Sequence, residues 1–290
     1  MRIAVTGGSG RVGCAVSATS LQAGHEVVVL DRREPPDEIA PRVDYRAVDM
    51  TDLDAVTSAL EGSDRLIHLA GIAGPNEADE TVVHANNVVA SYNALTAAAR
   101  LGIRRVVQAS SVNAVGATWS QHPHFDYFPI DEQHPTYNED GYSLSKWIAE
   151  QQADSLTRRH TDFSVVSLRF HAFVADRAAA LATSERQGEW WAARGLWGYT
   201  TVEMIVDACL LACSASLCGH EVFFIVAPTV ASDTSSEDLR RRWYPEVPVR
   251  GELAGQQGFF DCTRAASLLD WPYGSTRTAP MVSPTQTSDG

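Results

Sequence analysis

Residues 6–13 read TGGSGRVG and give the clearest indication of the fold. Gly7, Gly10 and Gly13 stand in a G-x-x-G-x-x-G spacing, directly after an apolar segment and directly before a helical one. A sharp strand-to-helix turn, a close approach of the backbone to a pyrophosphate and tight packing of the helix on its strand each favour a glycine. The free N–H groups at the start of the helix add a favourable environment for phosphate. The stretch therefore predicts a strand–turn–helix unit that binds a dinucleotide.

Short apolar segments alternate with helical segments along most of the chain. The apolar segments are rich in β-branched residues, and the helical segments carry apolar residues at helical spacing. This alternation predicts an α/β fold with a Rossmann-type, doubly wound parallel sheet that is covered on both faces. Strands are expected at 3–7, 26–31, 65–71, 105–111, 163–170 and 221–227, and helices at 13–24, 52–62, 86–102, 142–160 and 201–215.

The same pattern divides the chain into regions. Residues 1–170, completed by 199–228, are expected to form the dinucleotide-binding Rossmann domain. Residues 171–198 and 229–274 have weaker periodicity and more Trp, Pro and Gly, and we expect them to form a small C-terminal substrate-binding cap. Residues 275–290 are mostly Ser, Thr, Pro and Gly with little to bury, which predicts a disordered tail.

The composition indicates a soluble globular protein and disfavours several classes of function. A formal net charge of −13 argues against sequence-independent binding of nucleic acid and against adhesion to anionic lipid. No apolar run is long enough to span a bilayer, and no signal peptide is recognisable at the start. The five cysteines are scattered without the spacing of metal ligands, which suits a reducing compartment. We therefore expect a cytoplasmic protein without a metal site.

Two acidic residues follow predicted strands on the cofactor side. Asp31 ends the second strand, where a carboxylate accepts hydrogen bonds from the adenosine ribose and repels a 2′-phosphate, so it favours NAD over NADP. Arg32 and Arg33 follow directly and offer that phosphate a partner, which weakens the preference. Asp49 is a candidate for binding the adenine amine, and a purely structural role for it is equally open.

Lys146 is the only lysine of the chain, and all other residues of the Lys-plus-Arg total are arginines. It follows Tyr142 by four residues in a predicted helix, so the two side chains share a face. The ammonium is expected to lower the pKa of the phenol, which then becomes a usable general acid–base, and to bond the ribose of a nicotinamide cofactor. Ser111 ends a predicted strand at the edge where open α/β sheets bind ligands, and its hydroxyl is expected to bond the reacting oxygen.

Seven motifs occur in order: TGGSGRVG (6–13), HLAG (68–71), NNVVASYNAL (86–95), QASSVNAVG (108–116), YSLSK (142–146), LRF (168–170) and GFFDCTRAASLLDW (258–271). Together they resemble the motifs of the extended short-chain dehydrogenase/reductases, the NAD-dependent epimerase/dehydratase group, over almost the whole chain except its tail. The resemblance implies a Rossmann fold, NAD as cofactor and a catalytic trio of Ser111, Tyr142 and Lys146. It also implies cofactor contacts from Gly7, Gly10, Arg11, Val12, Gly13, Asp31, Asp49, the backbone around Ala70, Tyr142 and Lys146.

Within that family the plan of the chain is most similar to uronate dehydrogenase and related small sugar dehydrogenases. The run LRFHAFVADR (168–177) lacks the proline and the Asn-Val-Tyr-Gly-Pro-like loop that nucleotide-sugar epimerases and dehydratases usually carry. In uronate dehydrogenases an arginine of the cap binds the anionic group of the substrate, which suggests Arg194 here, with Arg177 and Arg186 as competitors. Asn113 is expected to face the substrate together with Ser111.

Other cap residues leave their role open. Trp190, Trp191 and Trp197 are either a wall for a sugar or aromatic packing within the cap. His171 has no partner that the sequence identifies, and a structural role is the better interpretation.

The sequence therefore predicts an NAD-dependent enzyme that oxidises a hydroxyl of a small sugar or sugar acid, with Tyr142 as the general base. An NAD-retaining epimerase or dehydratase of sugars or nucleotide sugars uses the same trio and stays an alternative. A non-catalytic protein that senses NAD(P) is a more distant alternative, since such proteins commonly lose the tyrosine or the lysine. Members of the family often pair through two helices, so a homodimer formed by the helices in 86–100 and 142–160 is expected.

Overall fold

A computed structural model describes residues 1–273 of the chain. Its main sheet has seven strands in the order β3-β2-β1-β4-β5-β6-β9, and all neighbouring strands run parallel. The strands of this sheet are β1 (Arg2–Thr6), β2 (Glu26–Asp31), β3 (Asp44–Ala47), β4 (Arg65–His68), β5 (Arg105–Ser111), β6 (Ser164–Phe170) and β9 (Gly219–Ile225). A separate pair is formed by β7 (Phe173–Val174) and β8 (Thr200–Thr201). The helices are α1 (Arg11–Gln22), α2 (Leu53–Leu60), α3 (Glu80–Arg100), α4 (Gly141–Arg159), α5 (Arg177–Gln187), α6 (Glu189–Arg194), α7 (Val202–Ser214), α8 (Ser236–Trp243) and α9 (Thr263–Leu269).

The strand order reverses between β1 and β4. From β1 the chain builds outward to β2 and β3, and then returns to add β4, β5, β6 and β9 on the other side. Ligands of open α/β sheets bind at the carboxyl ends of the strands near such a reversal. The predicted α/β, Rossmann-type doubly wound sheet is confirmed, and its topology fixes where a cofactor site would lie.

Helices cover both faces of the sheet. Alternate residues of a strand point to opposite faces, and accordingly Ile3 and Val5 of β1 belong to one buried cluster and Ala4 to another. The first cluster packs under α1 and α7, and the second packs under α2, α3 and α4. Because both faces are buried, the central parts of β1, β2 and β4 consist of apolar residues, which makes these strands recognisable in the sequence.

The observed boundaries differ from the predicted ones mainly at two elements. Helix α3 begins at Glu80 rather than at residue 86, because Asp79 caps it by accepting a 2.9 Å hydrogen bond from the backbone of Thr81. Strand β3 was not among the predicted strands. It lies at the edge of the sheet with no residue fully buried, so its sequence carries no apolar run.

The segments assigned to the cap contain β7, α5, α6, α8 and α9, which the sequence did not resolve individually. The division of the chain into a Rossmann domain and a cap stays a prediction. The tail expected at 275–290 and residue 274 lie outside the described residues. Within residues 1–273, no helix combines the length and apolarity needed to cross a membrane.

Candidate functional site

A cavity of about 960 Å³ lies at the carboxyl ends of the central strands, between the sheet and the cap segments. It is continuous from the glycine loop, past the ends of β2, β4 and β5, to residues 170–199. Most of the predicted site residues line it. These are Gly7, Gly10, Arg11, Val12, Gly13, Asp31, Asp49, Ala70, Ser111, Asn113, Tyr142 and Lys146.

The glycine loop leaves no room for side chains at two of its three predicted positions. Gly7 has a φ of +66°, and a Cβ there would lie 2.8 Å from the backbone nitrogen of Ala70. A Cβ on Gly13 would overlap the carbonyl oxygen of Gly7. At Gly10 the nearest atom would be 3.2 Å away, so this position is less crowded. The loop therefore brings bare backbone to the cavity, as a diphosphate site requires.

Asp31 is held at the end of β2 by the loop itself. Its Oδ2 accepts a 3.1 Å hydrogen bond from the backbone of Ser9, and its Oδ1 accepts one of 3.1 Å from the backbone of Arg33. The carboxylate is thus fixed beside the glycine loop, where a ribose would lie in a Rossmann site. In Asp49, hydrogen bonds from the backbone and the hydroxyl of Thr51 lower the pKa of the carboxyl group.

The Ser–Tyr–Lys residues come together from β5 and α4. Asp140 caps the start of α4 by accepting a 2.9 Å hydrogen bond from the backbone of Ser143. The Nζ of Lys146 donates a 3.0 Å hydrogen bond to the carbonyl oxygen of Ala109 and lies 5.8 Å from the centre of the Tyr142 ring. Ser111 accepts 3.1 Å and 3.2 Å hydrogen bonds from the backbone and side-chain nitrogens of Asn113.

The protonation of this group departs from the sequence-based expectation. Burial raises the pKa of Tyr142 to about 12, the hydrogen bond with Ser111 acts in the opposite direction, and the charge of Asp140 adds to the rise. Burial lowers the pKa of Lys146 to about 8, and the carboxylate of Glu150 acts against this. The expected lowering of the phenol pKa is therefore not found in this structure, because loss of solvent is the largest effect on it.

A buried ion pair holds α4 against the sheet behind the catalytic candidates. Glu150, one helical turn after Lys146, accepts hydrogen bonds of 2.9 Å and 2.8 Å from the Nε and Nη2 of Arg169 on β6. Ser110 of β5 donates a further hydrogen bond to the same carboxylate. These contacts fix the height of α4 over the strand ends, and with it the position of Lys146 and Tyr142.

Asn87 is a residue that the sequence analysis did not single out. Its Oδ1 accepts a 2.8 Å hydrogen bond from the backbone nitrogen of Ile72, and its Nδ2 donates one of 3.0 Å to the carbonyl oxygen of the same residue. Ile72 lines the cavity directly after β4. The buried amide of Asn87 thus bonds both the N–H and the carbonyl group of Ile72 and fixes this loop. In the sequence, Asn87 was marked only by its place in the NNVVASYNAL motif.

The far end of the cavity is formed by the cap segments. Trp191 and Trp197 line it, whereas Trp190 does not and is 57% exposed. His171 also lines it, but its Nδ1 accepts a hydrogen bond from the backbone of Ala172, and its Nε2 is 2.9 Å from the carbonyl oxygen of Gly195. Burial lowers the pKa of His171 to about 4, so this side chain is neutral, with both ring nitrogens engaged.

The structure does not bring Arg194 to the cavity. Its guanidinium donates to the carbonyl oxygen of Ser120, and its central carbon lies 4.4 Å and 5.2 Å from the ring centres of Trp190 and Trp191. The other two candidate arginines also make contacts within the chain. Arg177 donates to the carbonyl oxygen of Ser232, and the exposed Arg186 donates a 3.4 Å hydrogen bond to the hydroxyl of Thr183. None of the three arginines lines the cavity.

Comparison with known proteins agrees with this geometry. Residues 3–193 match the family model described as the NAD dependent epimerase/dehydratase family, which is well over half of the chain. The chain belongs to this family. The predictions of the family, of an NAD-dependent enzyme of this type and of NAD as the cofactor are thereby confirmed.

Several relatives share part of the chain. An L-arabinose 1-dehydrogenase (NAD(P)(+)) of Haloferax volcanii is 32% identical over 174 residues, which are 58% of this chain and 65% of that protein. A dTDP-6-deoxy-L-talose 4-dehydrogenase (NAD(+)) of Aggregatibacter actinomycetemcomitans is 28% identical over 181 residues, 61% of this chain and 63% of that protein. An uncharacterized protein of Mycobacterium tuberculosis is 40% identical over 111 residues, 38% of this chain but 12% of that protein. The chain thus spans less than two thirds of the length of each of these relatives.

Solved structures share the fold over nearly the whole chain. A UDP-glucose 4-epimerase of Thermotoga maritima superposes with a TM-score of 0.71 at 19% identity, covering 95% of this chain and 94% of that one. A mutated uronate dehydrogenase superposes with a TM-score of 0.67 at 21% identity, covering 95% and 82%. At these identities the comparison supports the fold and no finer property.

The residues of this epimerase/dehydratase family member fit NAD. The glycine loop has no space for side chains at Gly7 and Gly13, and the carboxylate of Asp31 is fixed beside it. In residues 1–273, no group of three or more His, Cys, Asp or Glu side chains is arranged to hold a metal ion.

Proposed function

We propose that this family member is a dehydrogenase that oxidises a hydroxyl group of a small sugar or sugar acid. NAD, when bound, supplies the hydride acceptor. Tyr142 takes the proton of the reacting hydroxyl, and Ser111 holds the oxygen of that hydroxyl by a hydrogen bond. Lys146 places a positive charge one helical turn from the phenol and bonds the ribose of the cofactor.

The observation that carries the proposal is the common cavity of the glycine loop and the Ser–Tyr–Lys residues. Ser111 comes from the end of β5, and Tyr142 and Lys146 come from the first turns of α4, so two rigid elements set their separation. The dehydrogenases of sugars and of a nucleotide sugar among the relatives support an oxidation. These relatives match about three fifths of this chain, and they support the type of reaction rather than a particular substrate.

The raised pKa of Tyr142 has a consequence for the reaction. A phenol with a pKa of about 12 is a weak base near neutrality, so the charge of Lys146 matters more than in an exposed tyrosine. Since burial lowers the pKa of Lys146 to about 8, that charge is present below this pH and is lost above it. The positive charge beside the phenol therefore depends on pH within the range in which enzymes are assayed.

The test is the formation of NADH when the purified protein is mixed with NAD and a panel of aldoses, uronates and sugar phosphates. NADH formation with one group of sugars supports a dehydrogenase. In Tyr142→Phe, the rate constant kcat should fall by about 10²–10⁴-fold, because a general base contributes an effect of this size. The circular dichroism spectrum of the variant should match that of the unmodified protein, which separates loss of chemistry from loss of fold.

The same assay separates the alternative function. An NAD-retaining epimerase would keep its cofactor through purification and give no net NADH, while the sugar changed configuration. Chromatographic analysis of the sugars after incubation detects that change. This result would replace the proposed dehydrogenase by the epimerase.

We also propose that the protein is a homodimer that pairs through α3 and α4. Val82, Val89 and Tyr92 of α3 are 52%, 41% and 46% exposed, so the helix presents apolar side chains to solvent. Light scattering after size-exclusion chromatography should give twice the monomer mass. Tyr92→Glu should shift the protein toward monomer, whereas Leu268→Glu, at an exposed apolar position of α9, should leave the mass unchanged. A monomer in the unmodified protein would contradict the proposal.

A further inference from the structure

The cap end of the cavity has a distinct chemical character. It is lined by aromatic rings and by neutral polar side chains. These come from the segment that follows the short 3-10 helix Val112–Val115 and from residues 170–199. The residues that define it are Trp119, Phe173, Thr183, Gln187, Trp191 and Tyr199. Aromatic faces pack against the C–H faces of sugar rings, and neutral polar groups bond hydroxyls.

The charged residues of the cavity lie toward the glycine loop and the catalytic trio. Arg11, Asp31, Arg32, Arg33 and Asp49 belong to the loop and to the strand ends beside it, and Lys146 is directed to the carbonyl oxygen of Ala109. The guanidinium of Arg11 lies 5.2 Å from the ring centre of Phe173, at the boundary between the glycine loop and the cap. The only titratable side chain that the described cap segments add to the cavity wall, apart from tyrosine, is the neutral His171.

Two of the three candidate arginines for an anion are engaged in contacts with other parts of the chain, and the third, Arg186, is exposed and does not line the cavity. Arg177 donates to the carbonyl oxygen of Ser232, to Asp233 and to Gln256, and these contacts tie α5 to the loop before α8. Arg194 is held by the carbonyl oxygen of Ser120 and by its stacking on two tryptophans. The cap segments therefore supply no cation to a carboxylate or phosphate that packs on the aromatic wall, and the guanidinium that approaches this end, that of Arg11, comes from the glycine loop and lies over the ring of Phe173. Burial of the anion on that wall without a pairing arginine would be unfavourable.

We propose that the substrate is an uncharged sugar whose ring packs on the aromatic wall of the cap, rather than a uronate, a sugar phosphate or a nucleotide sugar. This inference rests on the proposed dehydrogenase and narrows its substrate class. The neutral hydroxyls of such a sugar match Thr183, Gln187 and the side chain of Asn113, whose buried Oδ1 has no partner among residues 1–273. The reacting hydroxyl lies at the other end of the ring, beside Tyr142.

The test compares pairs of sugars with the same configuration of ring hydroxyls, of which one member carries a carboxylate. L-Arabinose and D-galacturonate share the configuration of their ring hydroxyls and differ in the carboxylate, and D-xylose and D-glucuronate form a second such pair. NADH formation should give a kcat/KM at least about 100-fold higher for the uncharged member of a pair, because the acid would bury an unpaired charge.

A variant checks that charge at the cap is the cause. Gln187 lies at the end of α5 and lines the cavity, so Gln187→Arg adds a guanidinium to the wall. The ratio of kcat/KM for the acid to that for the neutral sugar should rise at least about tenfold in this variant, since a guanidinium pairs with a carboxylate. Gln187→Met, which changes the same side chain without adding charge, should leave the ratio at its original value.

The outcomes distinguish this inference from the function on which it rests. A higher kcat/KM for the uronate in the unmodified protein would overturn the uncharged substrate and leave a sugar dehydrogenase. No NADH formation with any sugar, while NADH still binds as judged by fluorescence, would overturn the dehydrogenase and this inference with it. A preference for the neutral sugar that Gln187→Arg reduces would support both.

Discussion

Lys146 lies between Tyr142 and Glu150 on α4, and its protonation is set by competing effects. Burial disfavours the ammonium and lowers the pKa to about 8, while the Glu150 carboxylate favours the ammonium. The hydrogen bond to the carbonyl oxygen of Ala109 directs Nζ to the end of β5. The residue therefore acts as a point charge whose strength varies with pH, a property that an arginine at this position would lack.

The pKa of Lys146 is directly measurable because the chain has no other lysine. Protein grown with ¹³Cε-labelled lysine should give one lysine resonance, and its chemical shift should titrate with a midpoint near pH 8. In urea the midpoint should return to about 10.4, the ordinary value of a solvated lysine. A folded-state midpoint above that of the unfolded protein would show that charge pairing outweighs burial.

Sequence reasoning predicted the catalytic candidates better than the substrate contacts. Tyr142 and Lys146 are four residues apart on one helix, and Ser111 ends a strand, so their meeting follows from local geometry and from the rule for parallel sheets. Trp119 and Tyr199 come from segments without regular periodicity, and only tertiary packing brings them to one cavity. The sequence predicted a lowered pKa for Tyr142, whereas burial raises it. The spacing of residues along the sequence does not indicate how deeply a side chain is buried.

At the scale of elements, the position of α4 depends on the ion pair between Glu150 and Arg169. The two side chains are only 3% and 7% exposed, and each is the other's main charged partner. Replacing one partner leaves an unpaired buried charge, which is more costly than losing the pair as a whole. The catalytic face of α4 and its anchor are thus on adjacent turns of the same helix.

Glu150→Gln should lower the free energy of unfolding by about 3 kcal/mol, because it leaves the Arg169 guanidinium without its counter-charge. It should also lower the pKa of Lys146 further, since the carboxylate acts against the effect of burial. Urea denaturation and the lysine resonance measure the two effects. Glu252→Gln, at an exposed position, should change the free energy of unfolding by less than about 0.5 kcal/mol. Equal stability of the two variants would show that the ion pair contributes nothing.

The turn between β1 and α1 depends on the absence of a side chain at Gly13. In Gly13→Ala the new Cβ would overlap the Gly7 carbonyl oxygen, so α1 must move away from the loop. We expect a lower melting temperature and weaker NADH binding by fluorescence titration. Gly74→Ala is the control, because a Cβ there would have no heavy atom within 4 Å. Unchanged NADH affinity in Gly13→Ala would mean that the loop tolerates the shift.

The elements that sequence reasoning resolved are those buried on both faces. Strands β2 and β5 begin and end at the predicted residues: the apolar run of β2 is bounded by Glu26 and Asp31, and β5 extends from Arg105 to the polar Ser111. The cap helix α5 was missed because only Ala180 of it is buried, so it carries no apolar stripe. Its position is set by capping at Asp176, which accepts a 2.8 Å hydrogen bond from the backbone of Ala179, and by the contacts of Arg177.

At the scale of the molecule, the reversal of strand order and the cap divide the cavity into two chemical environments. The sheet side supplies bare backbone, the carboxylate of Asp31 and the Ser–Tyr–Lys residues, and the cap side supplies aromatic walls. The glycine loop and the Ser–Tyr–Lys residues of the sheet side lie in the motifs that the sequence analysis identified, whereas the residues of the cap side lie outside them. Substrate choice should therefore respond to substitutions in the cap, and cofactor binding to substitutions in the glycine loop.

The same burial that forms the cavity makes the fold sensitive to acid through two neutral histidines. Burial lowers the pKa of His68 to about 3, with a further lowering from the charge of Lys146, and burial lowers that of His171 to about 4. In the unfolded chain both histidines take up a proton near pH 6.5. Between that pH and their folded values the unfolded state binds more protons, so the free energy of unfolding falls as the pH falls.

At about pH 5 each of these histidines should cost about 2 kcal/mol of stability relative to neutral pH, a loss that precedes the protonation of ordinary carboxylates near pH 4. His68→Asn should reduce the fall by about 2 kcal/mol, because the amide keeps a polar group beside the hydroxyl of Thr6, which lies 2.7 Å from the imidazole, and does not titrate. Urea denaturation at both pH values measures this, and the change with pH is compared rather than the absolute stability. His122→Asn, at an exposed position, should keep the full fall. An equal fall in both variants would exclude His68 as a source of the acid sensitivity.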